Sequence, residues 1–156
     1  MKILVVGSGG REHAIAWRLS RDAEKHEIYC APGNAGTLSV AANVPLAAGD
    51  VAGIVEWSKR ERPDLVVVGP EAPLVAGLVD ALGAAGIAAF GPVAAGARIE
   101  GSKRFAKEVM AAAGVPTGMA ETFTDAAKAK AALPAFGLPV VIKADGLAAG
   151  KGVVVA

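Results

Sequence analysis

Two glycine-rich loops, with the charged residues beside them, are the parts of this 156-residue chain suited to chemistry. The first, "GSGGREHA" at residues 7–14, follows an apolar run and precedes a helical pattern. Glycines in that position let backbone N–H groups approach an anion closely, and a helix N-terminus adds partial positive charge. Gly7, Gly9 and Gly10 fit that use. The other reading is a plain tight turn, and Arg11 tilts the choice towards an anion. A dinucleotide fingerprint fails at two positions. The third glycine of G-x-G-x-x-G would fall at Glu12, a bulky side chain where strand and helix must pack closely. The second strand also runs out through Cys30, Ala31 and Pro32, with no acid for a ribose. A mononucleotide or sugar phosphate fits the loop better. His13, on the first helical turn, reads as a packing residue.

The second loop, "GLAAGKG" at residues 146–152, differs from a Walker A loop in three ways. Gly146 and Gly150 enclose three residues where four are needed, Gly152 stands where a hydroxyl should bind magnesium, and both flanks read as strands. The expected structure is a hairpin flap over phosphates, with Lys151 at its tip and Lys143 on the strand before it. A lysine about 4 Å from a phosphate oxygen gains roughly 4 kcal/mol of Coulomb energy at an effective dielectric near 20, before desolvation. Lys143 ends an otherwise apolar strand, where an unpartnered charge is rare.

These residues need a scaffold that brings loops together. "KILVV" (2–6) is a continuous apolar run, as in a strand buried on both faces of a parallel sheet. A helix over 11–21, a strand "EIYCA", an extended "VAANVPL" and a helix capped by Asp50 follow, the last with the inward stripe Val51, Ile54, Val55 and Ser58. "DLVVVG", a helix over "PLVAGLVDALGAAG" and "IAAF" complete a strand-helix alternation that predicts a doubly wound parallel sheet. In such a sheet ligands bind beyond the carboxyl ends of the strands, so "APGNAG" and "VGPEAPL" should join the first loop. Asn34 brings a donor and an acceptor there, and Glu71, held between Pro70 and Pro73, an acceptor for sugar hydroxyls or an amine.

From residue 93 the rhythm changes to a short helix, a break at Gly101 and a longer helix capped by Ser102. "MAETF" (119–123) reads as a strand, Thr124 as the cap of the helix "DAAKAKAAL", and "PVVIK" and "GVVVA" as the strands around the second loop. The expected organisation is a Rossmann-like domain over 1–92, a helical linker over 93–118 and, over 119–156, the incomplete start of an α+β domain. A hairpin without the rest of its sheet has unpaired edges.

The composition, 53% hydrophobic and 20% charged, supports a folded core. Sixteen basic against 15 acidic residues, with no long block of either sign, argue against a broad nucleic-acid surface. The longest uncharged run, Ala81 to Ala97, is too broken by glycine and proline for a membrane span. One cysteine, Cys30, and an N-terminus without a signal-peptide core favour the cytoplasm.

Taken in order, "VVGSGGREHA", "APGNAGT", "VGPEAPLVAGLVD", "GPVAAGARIEGSKRFAKEVM" and "VVIKADGLAAGKGV" resemble the glycinamide ribonucleotide synthetase family of ATP-grasp enzymes, over essentially the whole chain but only the first part of the family's length. The resemblance implies a pre-ATP-grasp domain followed by a truncated ATP-grasp start. It implies ATP-dependent ligation of glycine to 5-phosphoribosylamine through glycyl phosphate, in purine biosynthesis. Lys103, Lys143 and the lid Gly146, Leu147, Ala148, Ala149, Gly150, Lys151 and Gly152 would hold ATP. Gly9, Gly10, Arg11, Asn34, Gly36, Glu71 and Pro73 would face the phosphoribosyl substrate. Mg2+ or Mn2+ would be held by ligands outside this chain, which by itself is expected to be inactive. The competing readings are a noncatalytic sugar-phosphate or nucleotide binding module and a nicotinamide-dependent oxidoreductase, the latter disfavoured by Glu12 and the absent ribose acid.

Overall fold

Lys2–Gly7 form β1, and its continuous apolar run has a simple cause: both faces are covered. Side chains alternate across a strand, so Ile3 and Val5 join Ala16, Ile28 and Cys30 on one face, while Leu4 and Val6 join Ile54, Trp57, Leu78 and Leu82 on the other. The computed structural model describes residues 1–148 and 151–156. It divides into two compact units, Met1–Ala97 and Arg98–Ala156.

In the first unit β1 is followed by α1 (Gly10–Leu19), β2 (Glu27–Pro32), a 3-10 turn (Thr37–Ser39) and β3 (Ala42–Asn43). Next come α2 (Val51–Glu61), β4 (Leu65–Val68), α3 (Glu71–Val75), α4 (Leu78–Ala84) and β5 (Ala89–Phe90). All pairings are parallel and the order is β3-β2-β1-β4-β5, a doubly wound sheet. Val6 at the end of β1 pairs with Ala31 on one side and Val68 on the other.

Two helices differ from expectation. The helix expected over "PLVAGLVDALGAAG" is two, because Gly77 takes φ 85, a left-handed conformation that costs glycine little, and ends the first helical turn. The restart at Leu78 places Leu78 and Leu82, one turn apart, fully inside the core. In α2 the Asp50 side chain accepts from Gly53 N–H (2.9 Å) as a cap should. The deepest residues of its stripe are Ile54, Trp57 and Ser58, with Val51 and Val55 partly buried. Trp57 packs edge-on against Tyr29, ring centroids 5.3 Å apart.

Ser58 is fully buried, and its hydroxyl has no partner among the described residues. An unpaired buried hydroxyl is destabilising, so Ser58→Ala is expected to raise stability by about 1 kcal/mol. A urea titration showing a lower midpoint for the variant would contradict this.

The second unit holds the end of α5 (Ala94–Gly101), α6 (Lys103–Ala112), α7 (Ala126–Phe136) and an antiparallel pair, β6 (Val141–Lys143) with β7 (Val153–Val155). Ser102 caps α6 through Phe105 N–H (3.1 Å). The cap of α7 is Asp125, which accepts from Lys128 N–H, and not Thr124; the helix also runs on through Pro134. Residues 119–123 form no strand, since they pair with no other described strand. Instead Lys107 Nζ holds the segment just before them through Thr117 Oγ1 (2.6 Å) and Gly118 O (2.7 Å). Every described residue of β6 and β7 is exposed. No helix among the described residues is long and apolar enough to cross a membrane.

Candidate functional site

The strand order reverses at β1, with β2 and β3 to one side and β4 and β5 to the other. The carboxyl ends of β1 and β4 therefore open a crevice at the switch point. The loop after β1 enters α1, and the loop after β4 enters α3. Arg11, in the first turn of α1, bridges them: its Nε donates to Glu12 Oε1 (2.8 Å) and its Nη1 to Glu71 Oε1 (3.0 Å). These two hydrogen bonds, Glu12's the larger, raise the guanidinium pKa. One guanidinium against two carboxylates leaves the trio with a formal charge of −1. Two of the five Arg11 donors are thus held by internal partners, a feature its sequence position alone did not disclose.

Glu71 opens α3 and is about half exposed. Its own backbone N–H, and then Arg11, hold its carboxyl below the usual carboxylate range, so it is ionised at neutral pH. Because the folded-state pKa is depressed, this contribution to stability is present above the ordinary value of 4.5 and lost as pH falls through the folded one.

Glu12, which breaks a dinucleotide fingerprint, is also the pivot of the loop. Only 3% exposed, it accepts from Gly9 N–H through Oε2 (2.7 Å). The spacing of Gly9 and Glu12 is that of a reciprocal helix cap, which is the signal that could have found it. A Cβ at Gly7 would lie 2.6 Å from Glu12 Cδ, and one at Gly69 2.7 Å from it. Those glycines make room for a carboxylate from within the chain. Gly9 N–H is already taken, whereas the first-turn N–H groups of Gly10 and Arg11 have no intrahelical acceptor.

Asn34 ties the β2 loop to the β1 loop. Its Oδ1 accepts from Gly36 N–H (2.7 Å) and Thr37 N–H (3.0 Å), and its Nδ2 donates to Ser8 O (2.9 Å). Thr37 and Asn43, which the sequence did not single out, complete this lattice. The buried Thr37 hydroxyl accepts from Asn34 N–H (2.8 Å), and Asn43 Nδ2 donates to Asn34 O (2.9 Å). His13 packs against Gly36, where an added Cβ would lie 2.7 Å from Nδ1. The Pro73 ring is fully buried within α3. Burial pushes the Cys30 thiol up to about 11.

The second unit carries the other expected residues. Lys143 ends β6 and is exposed. Lys103 Nζ donates to Gly146 O (2.8 Å), so it touches the glycine loop's own backbone. Asp145, another residue sequence reasoning missed, accepts from Ser102 Oγ (3.0 Å) and Arg104 N–H (3.3 Å). Backbone N–H of Arg104 and then the Ser102 hydroxyl hold its carboxyl below the usual range. The N-terminus of α6 is therefore already occupied by an anion from the loop. Leu147 is exposed and Ala148 half-buried; Ala149 and Gly150 lie outside the described residues. Lys151 is exposed, with its N–H on Ala148 O (2.7 Å), and Ala144 N–H donates to Gly152 O (2.8 Å), extending the ladder. A groove of about 520 Å³ beside α6 contains none of the residues expected to bind a ligand. No group of three His, Cys, Asp or Glu that could hold a metal occurs among the described residues.

A doubly wound sheet with loops gathered at its switch point, followed by a hairpin around a glycine and lysine loop, defines the class: a pre-ATP-grasp domain and the start of an ATP-grasp domain. Residues 1–100 match the model of the phosphoribosylglycinamide synthetase N domain, and residues 101–156 that of the ATP-grasp (A) domain. The chain belongs to the phosphoribosylglycinamide synthetase family. It is 54% identical to a phosphoribosylamine-glycine ligase of Allochromatium vinosum, across 100% of this chain and 37% of the relative. To the ligase of that name from Streptomyces coelicolor it is 56% identical, across 99% and 37%. The crystal structure of phosphoribosylamine-glycine ligase from Thermotoga maritima superposes with a TM-score of 0.79 at 33% identity, covering 99% of this chain and 36% of that one. The chain thus spans little more than a third of the length of these relatives.

Proposed function

We propose that this chain supplies the sugar-phosphate site and the opening part of the nucleotide site of a ligase that joins glycine to 5-phosphoribosylamine, giving glycinamide ribonucleotide, ADP and phosphate. The observation that carries the reading is the Arg11–Glu71 contact, which brings a cation and an ionised acceptor together at the switch-point crevice. In this reading the substrate phosphate lies against the free first-turn N–H groups of α1 and the remaining Arg11 donors, and Glu71 takes a sugar hydroxyl or the amine. Gly9, Gly10 and Gly36 line its path, and Asn34 acts by holding the loops.

The reaction needs the glycine carboxylate phosphorylated by ATP, after which the substrate amine displaces phosphate. What this chain's residues contribute is charge neutralisation and water exclusion. Lys143 and Lys103 hold the nucleotide phosphates, with the loop Gly146–Gly152, including Lys151, as cover. Lys103 then exchanges Gly146 O for a phosphate oxygen. Mg2+ or Mn2+ beside the phosphates belongs to the same reading, with ligands outside the described residues. So does the organisation into a sugar-phosphate domain over 1–92, a helical linker over 93–118 and an ATP-grasp start from 119, working in the cytoplasm.

Glu71→Ala in the complete ligase is expected to raise the KM for 5-phosphoribosylamine about tenfold, with the ATP dependence intact. Should the variant alter only the ATP dependence, the division of the two sites is wrong.

A further inference from the structure

A carboxylate buried to 3% exposure needs partners that satisfy it, and Glu12 has two: the N–H of Gly9 and the Nε of Arg11. The chain is built around it. The end of β1 at Gly7, the residue after β4 at Gly69 and the cap of α1 at Gly9 all lack a Cβ where one would come within 3 Å of this side chain. Gly69 is further held by its N–H on Val6 O (3.0 Å), so the crevice floor is one hydrogen-bonded unit. Arg11 itself is half exposed, a long side chain that would lose its rotamer freedom on meeting a ligand. Glu12 on Nε and Glu71 on Nη1 take two of its five donors and fix the guanidinium plane, leaving three for a substrate.

We infer that Glu12 is a positioning residue for the phosphoribosyl substrate: from beneath the loop it pre-orients Arg11 against Glu71, and so governs recognition of that substrate and not of ATP. The inference rests on the reading of the crevice as the sugar-phosphate site. It gives Glu12 a role beyond capping α1, because a cap alone would not require contact with Arg11.

The test is a double-mutant cycle in the complete ligase. Glu12→Gln keeps the size but turns an amide N–H towards Gly9 or Arg11, breaking one of the two bonds. The variant is expected to raise the KM for 5-phosphoribosylamine about 10- to 100-fold, with kcat and the KM values for ATP and glycine little changed. Arg11→Ala is expected to do the same, and adding Glu12→Gln to it to cost almost nothing more. Full multiplication of the two effects, or an equal rise in the KM for ATP, overturns the inference, since Glu12 would then act on the fold and not through Arg11. Arg11→Lys gives a measurement independent of any change at Glu12. An ammonium has no planar fork to fix, so its KM for 5-phosphoribosylamine should rise as well, and a wild-type value overturns the proposal. If Arg11→Ala itself leaves that KM unchanged, the crevice is not the sugar-phosphate site, and the reading beneath the inference is what fails.

Discussion

Gly69→Ala is expected to lower the unfolding free energy by about 2–3 kcal/mol, an unusually large effect for adding one methyl group. The backbone of Gly69 does not require glycine, because its φ is not positive. The cost comes from what the methyl meets: its Cβ would sit 2.6 Å from Glu12 Cγ and 2.7 Å from Cδ. The Glu12 side chain must therefore shift to make room. Displacing it breaks the bonds to Gly9 N–H and Arg11 and leaves a charge at a site with 3% exposure. Both tryptophans, Trp17 and Trp57, lie in the first unit, so fluorescence-detected urea unfolding reports on it directly. The midpoint should fall with the slope unchanged. Combining Gly69→Ala with Glu12→Ala should cost less than the sum of the single effects, because the truncation removes the atoms the methyl strikes. A loss below about 0.5 kcal/mol for Gly69→Ala would mean that Glu12 is loosely held.

Lys143→Ala in the complete ligase should raise the KM for ATP about 10- to 100-fold and leave that for 5-phosphoribosylamine within about twofold. An ammonium about 4 Å from a phosphate oxygen gains roughly 4 kcal/mol at an effective dielectric near 20. Lys143 is exposed and must shed water, and a discount to roughly 1.4–2.8 kcal/mol gives the stated range. It has no competing partner among the described residues, in contrast to Lys103, which holds Gly146 O. Lys103→Ala should therefore disturb the loop as well as the nucleotide. An unchanged ATP KM for Lys143→Ala would remove it from the phosphate site.

The doubly wound sheet was legible because its cause is local and repeated: apolar runs such as "KILVV" and "DLVVV" are what a strand buried on both faces requires, and glycine and proline mark their ends. The convergence of three loops followed from the topology rule. The break at Gly77 was not legible, since "PLVAGLVDALGAAG" has an unbroken apolar pattern, and the restart depends on seating Leu78 and Leu82 against Ile54 and Trp57. Likewise "MAETF" has strand composition, but a strand exists only where another strand supplies its hydrogen bonds.

By itself the sequence determined the fold class and the family, and it offered a short list of candidate site residues, because apolar periodicity, loop glycines and motif order are properties of the chain read in line. What only the tertiary structure decided is which residue each polar side chain faces. Arg11 and Glu71 are 60 positions apart and Asp145 and Ser102 are 43 apart, and no spacing rule pairs them. Glycines next to a strand look alike whether they admit a phosphate or a glutamate. The difference lies in the space a missing Cβ leaves, and in this chain Glu12 fills it.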